Sequence, residues 1–189
     1  MLRILSRVTF ADQLTVARAA SAPLVVFLFA VDFPGHDYWG TAVFCVAMST
    51  DWFDGRLARR SGRTSEFGSL LDPVADKLLV VSTLVVLLDQ GVFPAWMVAL
   101  IVGRELLVSG LRLAALERGV VIPARDLGKL KTWSQAVAAA VGGLVAAGLW
   151  SDTVSWWFLL VAVVLTWISG LDYARSAPGV LRGRAVASP

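Results

Sequence analysis

The chain has 189 residues, 57% of them hydrophobic, with eight Trp and a mean hydropathy of +0.72. Soluble globular domains are roughly half apolar or less, so this composition excludes an ordinary water-soluble enzyme and points to lipid as the solvent. The net charge of +3 and pI near 9.5 suit anionic lipid and anionic substrates. They do not indicate nucleic acid, because no basic stripe with interleaved aromatics stands apart from the apolar runs.

In chain order, "MLRILSRVTFAD" comes first. It reads equally as an irregular lead-in or as a short interfacial helix, with Leu2, Ile4, Leu5 and Val8 on one side and Arg3 and Arg7 on another. Six apolar runs follow, at 14–33, 38–60, 67–88, 93–117, 128–150 and 154–173. Each reaches the roughly 18 residues that read as a transmembrane helix. The first run exceeds the roughly 7–15-residue apolar core of a signal peptide, carries Arg18 and lacks a clear small-x-small cleavage site, so it reads as retained. The connections are short and leave no stretch for a soluble domain. Residues 1–189 therefore read as a single all-α membrane domain of six transmembrane helices. Cys45 is the one cysteine; it cannot form an intrachain disulfide and reads as a small packing residue. Gly142, Gly143 and Gly148 read as small residues that let helices approach closely.

The cations orient the chain. All 17 Lys and Arg fall in the N-terminus, 56–66, 118–129, the C-terminal tail, or helix portions nearer to them. The alternate segments at 33–38, 89–92 and 151–153 hold Asp37, Asp89, Asp152 and His36. That bias puts both termini in the cytoplasm, and Trp39, Trp96, Trp150, Trp156 and Trp157 form an aromatic belt at the outer ends. The expected location is the inner (plasma) membrane.

Charges also lie deep within the runs. Asp51 is 12 residues past Trp39, Asp76 is 13 before Asp89 and Arg104 is 11 past Phe93. At about 1.5 Å per residue these are about 18, 20 and 16 Å in from the outer boundary. Charges on three helices thus reach one level, which predicts a polar cavity open to the cytoplasm. Intramembrane charges are functional-site candidates by default. Arg60, Arg63 and Glu66 read as simply solvated or lipid-facing.

The spacing sharpens this. Asp51 and Asp54 stand at i,i+3 with Ala58 a turn further; Gly68, Asp72 and Asp76 stand at i, i+4, i+8. Each set shares one helical face. Four facing carboxylates cannot all stay ionised in a low dielectric without a cation. A hard divalent ion with oxygen ligands, Mg²⁺ or Mn²⁺, resolves the conflict. Gly55 and Gly68 let a ligand approach the backbone, and Arg59 is placed for a phosphate.

These residues spell a pattern: Asp51-x2-Asp54-Gly55-x2-Ala58-Arg59-x8-Gly68-x3-Asp72-x3-Asp76. It resembles, at every fixed position, the signature of the CDP-alcohol phosphatidyltransferase family, whose fold also has six helices. The resemblance implies that an alcohol attacks the β-phosphate of a CDP-linked lipid and releases CMP. It implies that Asp51, Asp54 and Asp72 chiefly hold the metal, with Asp76 at the same centre and acting as general base. It further implies that Asp51, Asp54, Gly55, Ala58, Arg59, Gly68 and Asp72 hold the CDP part.

Beyond the signature, "LTVARAASAPL", "GRELLVSGLR" and "GKLKTWSQ" are similar to the branch of that family in which CDP-diacylglycerol donates to sn-glycerol 3-phosphate. Asp12 stands where that branch often has Asn. The expected partners are these two substrates and membrane lipids, with no nucleic acid and with a homodimer as the assembly. A dianionic acceptor needs cations, and Arg104, Arg112, Lys129 and Lys131 supply them. Lys129 and Lys131 begin the fifth helix, whose N-terminus also favours phosphate. The plainer alternatives are positive-inside anchoring for the two lysines and a buried ion pair with Glu105 or an aspartate for Arg104. Arg18 is ambiguous in the same way. An inositol phosphate is the closest rival acceptor, ahead of serine and phosphatidylglycerol. A divalent-cation transporter is the rival from another class, opposed by the apolar outer half of every helix.

Overall fold

A computed structural model describes residues 10–61, 66–117 and 126–181, and within them the side chains of 16–50, 74, 75, 77–115, 117 and 127–175. The stretch with Leu2, Ile4, Leu5 and Val8 lies outside the described residues, as does Arg63. Six helices and no strand occur among the described residues: α1 (Phe10–Ala30), α2 (His36–Ser61), α3 (Glu66–Asp89), α4 (Ala95–Glu117), α5 (Asp126–Ala146) and α6 (Asp152–Leu181). They coincide with the six apolar runs to within a few residues, except that α6 continues well past 173.

Among the described residues, one segment, Asp152–Arg175 of α6, is long and apolar enough by itself to cross a membrane. Arg104 and Glu105 interrupt the apolar run of α4, and Lys129 and Lys131 that of α5.

Helix pairing follows the short links for α1–α2 and α5–α6 and otherwise chiefly joins helices that are not neighbours in the chain. α1 packs on α2 and α3, α5 on α6, α2 and α3, and α4 chiefly on α6 and less on α3. The links 31–35, 90–94 and 147–151 each contain a glycine at positive φ: Gly35 at 79°, Gly91 at 78° and Gly148 at 74°. Glycine enters that region without the steric cost a Cβ brings. Two of these turns are pinned together, because the Gln90 side-chain amide donates to the Phe29 carbonyl and to Asp37 Oδ1, both at 3.0 Å.

Gly148 departs from its expected role. Its amide donates to the Val145 carbonyl at 2.8 Å and that of Leu149 to Leu144 at 2.9 Å. It therefore ends α5 as a left-handed cap, and a Cβ there would meet nothing within 4 Å. Gly142 and Gly143 do serve close packing. A Cβ on Gly142 would run into the Phe93 ring and into Leu87 at 2.9 Å, and one on Gly143 into the Thr41 side chain, its Cβ at 3.1 Å. Cys45 also differs from expectation: it is exposed on α2 rather than packed.

The core is one cluster drawn from all six helices, including Val25 and Phe29, Phe44, Leu79, Leu84 and Leu87, Met97 and Ile101, Ala138 and Ala139, and Leu159. The outward faces are apolar too. Leu106 and Leu107 of α4, Leu130 and Trp133 of α5, and Trp157, Val161 and Ile168 of α6 are all exposed. The five tryptophans expected at the outer ends are exposed as well.

Gly143→Ala tests the α2–α5 contact. Alanine gains about 1 kcal/mol of helix propensity over glycine, but overpacking costs typically about 1–3 kcal/mol. Collision should win, and thermal unfolding in detergent should fall. An unchanged or raised Tm would show that Thr41 moves aside and that the approach does not limit stability.

Candidate active site

α2 carries Asp51, Asp54, Gly55, Ala58 and Arg59 near its C-terminal end, and α3 carries Gly68, Asp72 and Asp76 in its first half. Both stretches are helical, so the i,i+3 and i,i+4 registers hold and each aspartate pair shares a helix face. α2 ends at Ser61 and α3 begins at Glu66, and the two helices touch. The side chains of the eight signature residues lie outside those described. As a donor set, four carboxylates from two contacting helices fit a hard divalent cation, which takes oxygen ligands.

The described side chains add a second polar centre, built around Glu105 of α4. Glu105 is 5% exposed. Its Oε1 is in direct ion contact with Nζ of Lys131 from α5, receives Nη1 of Arg104 at 3.2 Å, and faces Nε2 of Gln135 at 3.3 Å. Gln135 also donates to Thr166 Oγ1 of α6 at 2.8 Å, and Arg104 Nη2 donates to Ser169 Oγ of α6 at 3.1 Å. From α3, Lys77 Nζ lies 3.8 Å from Glu105 Oε2 and donates to Ser109 Oγ at 2.6 Å. Ser109 in turn donates to the Glu105 carbonyl at 2.6 Å. Helices α3, α4 and α5 thus meet at one carboxylate, and α6 joins through Arg104 and Gln135.

The chain makes room for this locally. Arg104 crosses α6 at Gly170, where a Cβ would stand 2.9 Å from its Nε and 3.3 Å from its Cγ. Any larger residue there would push the guanidinium off Glu105 and Ser169. The Lys77–Ser109 bond also joins α3, one residue after Asp76, to α4, about one turn after Arg104. This agrees with the shared depth expected for those two helices.

The four expected acceptor cations divide into two pairs. Arg104 and Lys131 are buried and brought together by Glu105. Arg112 and Lys129 are exposed, though the charge of Arg112 bears on both Lys77 and Arg104. Sequence reasoning had weighed Glu105 as the partner of Arg104, and that pair is present. It passed over Glu105 as a centre, and over Lys77, Ser109, Gln135, Thr166 and Ser169. The signal was available: each is a polar residue inside an apolar helix.

Removing one member of a buried ion pair costs about 3–5 kcal/mol, because the other charge is left uncompensated, whereas replacing both with apolar groups is often neutral. Glu105→Ala should therefore lower the unfolding temperature strongly. Glu105→Ala combined with Lys131→Met should recover part of the loss. Additive losses in the double variant would deny the pair.

Known proteins resemble this chain over most of its length. A protein of Bacillus subtilis (strain 168) named CDP-diacylglycerol–glycerol-3-phosphate 3-phosphatidyltransferase is 38% identical over 178 residues, covering 86% of this chain and 91% of its own. A probable phosphatidylglycerophosphate synthase of Mycobacterium tuberculosis (strain ATCC 25618 / H37Rv) is 42% identical over 172 residues, covering 88% and 80%. A Rickettsia bellii (strain RML369-C) protein with the same name as the Bacillus one is 36% identical over 168 residues, covering 87% and 93%. The pattern of the CDP-alcohol phosphatidyltransferases matches residues 8–168, which takes in five helices and more than half of the sixth, and the chain belongs to that family.

Proposed function

We propose that this chain transfers the phosphatidyl group of CDP-diacylglycerol to sn-glycerol 3-phosphate, giving phosphatidylglycerophosphate and CMP. The observation that carries the reading is the complete aspartate signature on two touching helices, beside a centre where cations outnumber the one described carboxylate. Relatives that span most of the chain and are named for this reaction or its product support it.

In this reading Gly55, Ala58, Arg59 and Gly68 seat the CDP part, and Asp51, Asp54, Asp72 and Asp76 hold a divalent ion, Mg²⁺ or Mn²⁺. Such an ion, when bound, offsets the charge that develops on the departing CMP. Asp76 accepts the proton of the attacking hydroxyl of glycerol 3-phosphate. The hydroxyl oxygen forms a bond to the phosphatidyl phosphorus, the bond from that phosphorus to the CMP oxygen breaks, and CMP leaves. Arg104, Arg112, Lys129 and Lys131 supply positive charge for the acceptor's phosphate, which does not react. Arg104 and Lys131 do so from within the Glu105 centre.

The same reading has residues 1–189 as one domain with six membrane crossings in the inner (plasma) membrane, both termini and the site facing the cytoplasm, and two copies forming a homodimer. Apolar side chains exposed along α4, α5 and α6 suit contact with acyl chains better than water. The substrate's acyl chains then stay in lipid while the alcohol enters from solution.

The test is CMP release from CDP-diacylglycerol across candidate alcohols. Glycerol 3-phosphate should be preferred, and activity should vanish with chelator and return with Mg²⁺ or Mn²⁺. Preference for an inositol phosphate would move the acceptor assignment, and full activity in excess chelator would remove the metal.

Asp76→Asn separates base from ligand. The amide is nearly isosteric and cannot accept a proton. Turnover should fall by at least about 10²–10⁴-fold, the usual worth of a general base, while CDP-diacylglycerol still binds. Near-normal turnover at saturating metal would reassign the base.

A further inference from the structure

We propose that Lys77 is a further binding residue for the acceptor, the cation of the Glu105 centre that meets the acceptor's phosphate. The proposal rests on the phosphatidyl-transfer reading above and adds to it a residue outside the signature and outside the four acceptor cations.

Three cations surround Glu105, and burial distinguishes them. The side chains of Arg104 and Lys131 are 6% and 9% exposed, and both bind Oε1. Arg104 is further tied to Ser169. The side chain of Lys77 is 39% exposed, and its ammonium stands 3.8 Å from Oε2, beyond hydrogen-bond length. Oε2 is buried and receives no hydrogen bond. Lys77 is thus held toward the carboxylate by charge but not saturated by it. An ammonium carries three N–H donors, and one of these goes to Ser109.

Among the described side chains, three cations face one carboxylate, with the charge of Arg112 added. A dianionic phosphate suits such a set. Lys77 can offer it donors without breaking the buried Arg104 and Lys131 pairs, whose rupture would leave charges uncompensated. Position points the same way. Lys77 follows Asp76 directly on α3, so the cation and the residue proposed to take the proton share one turn of one helix. Glu105 and Ser109 hold Lys77 in reach, as positioning residues.

The experiment uses the full chain in detergent with CDP-diacylglycerol micelles, comparing wild type with Lys77→Met, Lys77→Gln and Lys77→Arg. Losing one charge-assisted contact should raise the KM for glycerol 3-phosphate about 10–100-fold. Inhibition by inorganic phosphate should weaken in parallel. The KM for CDP-diacylglycerol should move less than about threefold, since uniform damage to the site would move both. Lys77→Arg keeps the charge and should recover most of the affinity; it also serves as the readout if the neutral variants do not fold. Equal changes in both KM values, or no change in either, would overturn the assignment, as would an arginine variant as weak as the methionine one. Thermal stabilisation of the protein by inorganic phosphate alone gives an arm independent of acceptor identity. If wild type ignored glycerol 3-phosphate but gained phosphate stabilisation that Lys77→Met lost, the acceptor reading would fail and the Lys77 site would stand. Stabilisation retained in Lys77→Met would place the phosphate elsewhere.

Discussion

Placing an ammonium or a guanidinium among packed helices costs several kcal/mol per ion unless a counter-charge and hydrogen bonds replace the lost water. Glu105 is that counter-charge here. Its Oε1 faces Lys131, Arg104 and Gln135 together, and through Gln135 and Arg104 it reaches Thr166 and Ser169. α4 touches α3 sparingly, so the Lys77 contacts form a substantial part of what ties those two helices. The arrangement of four helices on the site side of the molecule depends on one side chain being negative and buried.

That constraint explains the placement of small residues. A polar centre deep in a helical domain needs helices close enough for short side chains to hydrogen-bond across them. Gly170 lets Arg104 cross α6, and Gly142 and Gly143 bring α5 against Phe93 and Thr41. Where no approach is required, glycine does something else: Gly148 ends a helix and Gly91 shapes a turn. Two chemical centres result, the aspartates on α2 and α3 and the cations on α3, α4 and α5, and α3 belongs to both. Asp76 and Lys77 are neighbours on that helix.

Much of this was legible beforehand. Apolar runs bounded by short links marked all six helices, since each run had to bury its backbone polar groups in helical hydrogen bonds. The aspartate spacing read directly as two helix faces, because 3.6-residue periodicity alone sets which residues share a face. Depth arithmetic placed Asp76 and Arg104 at one level, and the Lys77–Ser109 bond is consistent with it. The side that Cys45 faces was not legible, because a residue of intermediate polarity suits a packed face or an exposed one within an apolar helix.

The sequence by itself determined the helix count, the two aspartate faces and the family, since these depend on local periodicity and on fixed gaps along one chain. Only the tertiary structure decided which cations are buried and which are exposed. Arg104, Arg112, Lys129 and Lys131 look alike as letters, yet two are buried on Glu105 and two are exposed, and Lys77 joins the centre from a different helix. Ion pairing is a property of distance in space. Residues 26 positions apart, as Glu105 and Lys131 are, meet only through the packing of α4, α5 and α6, which no local pattern encodes.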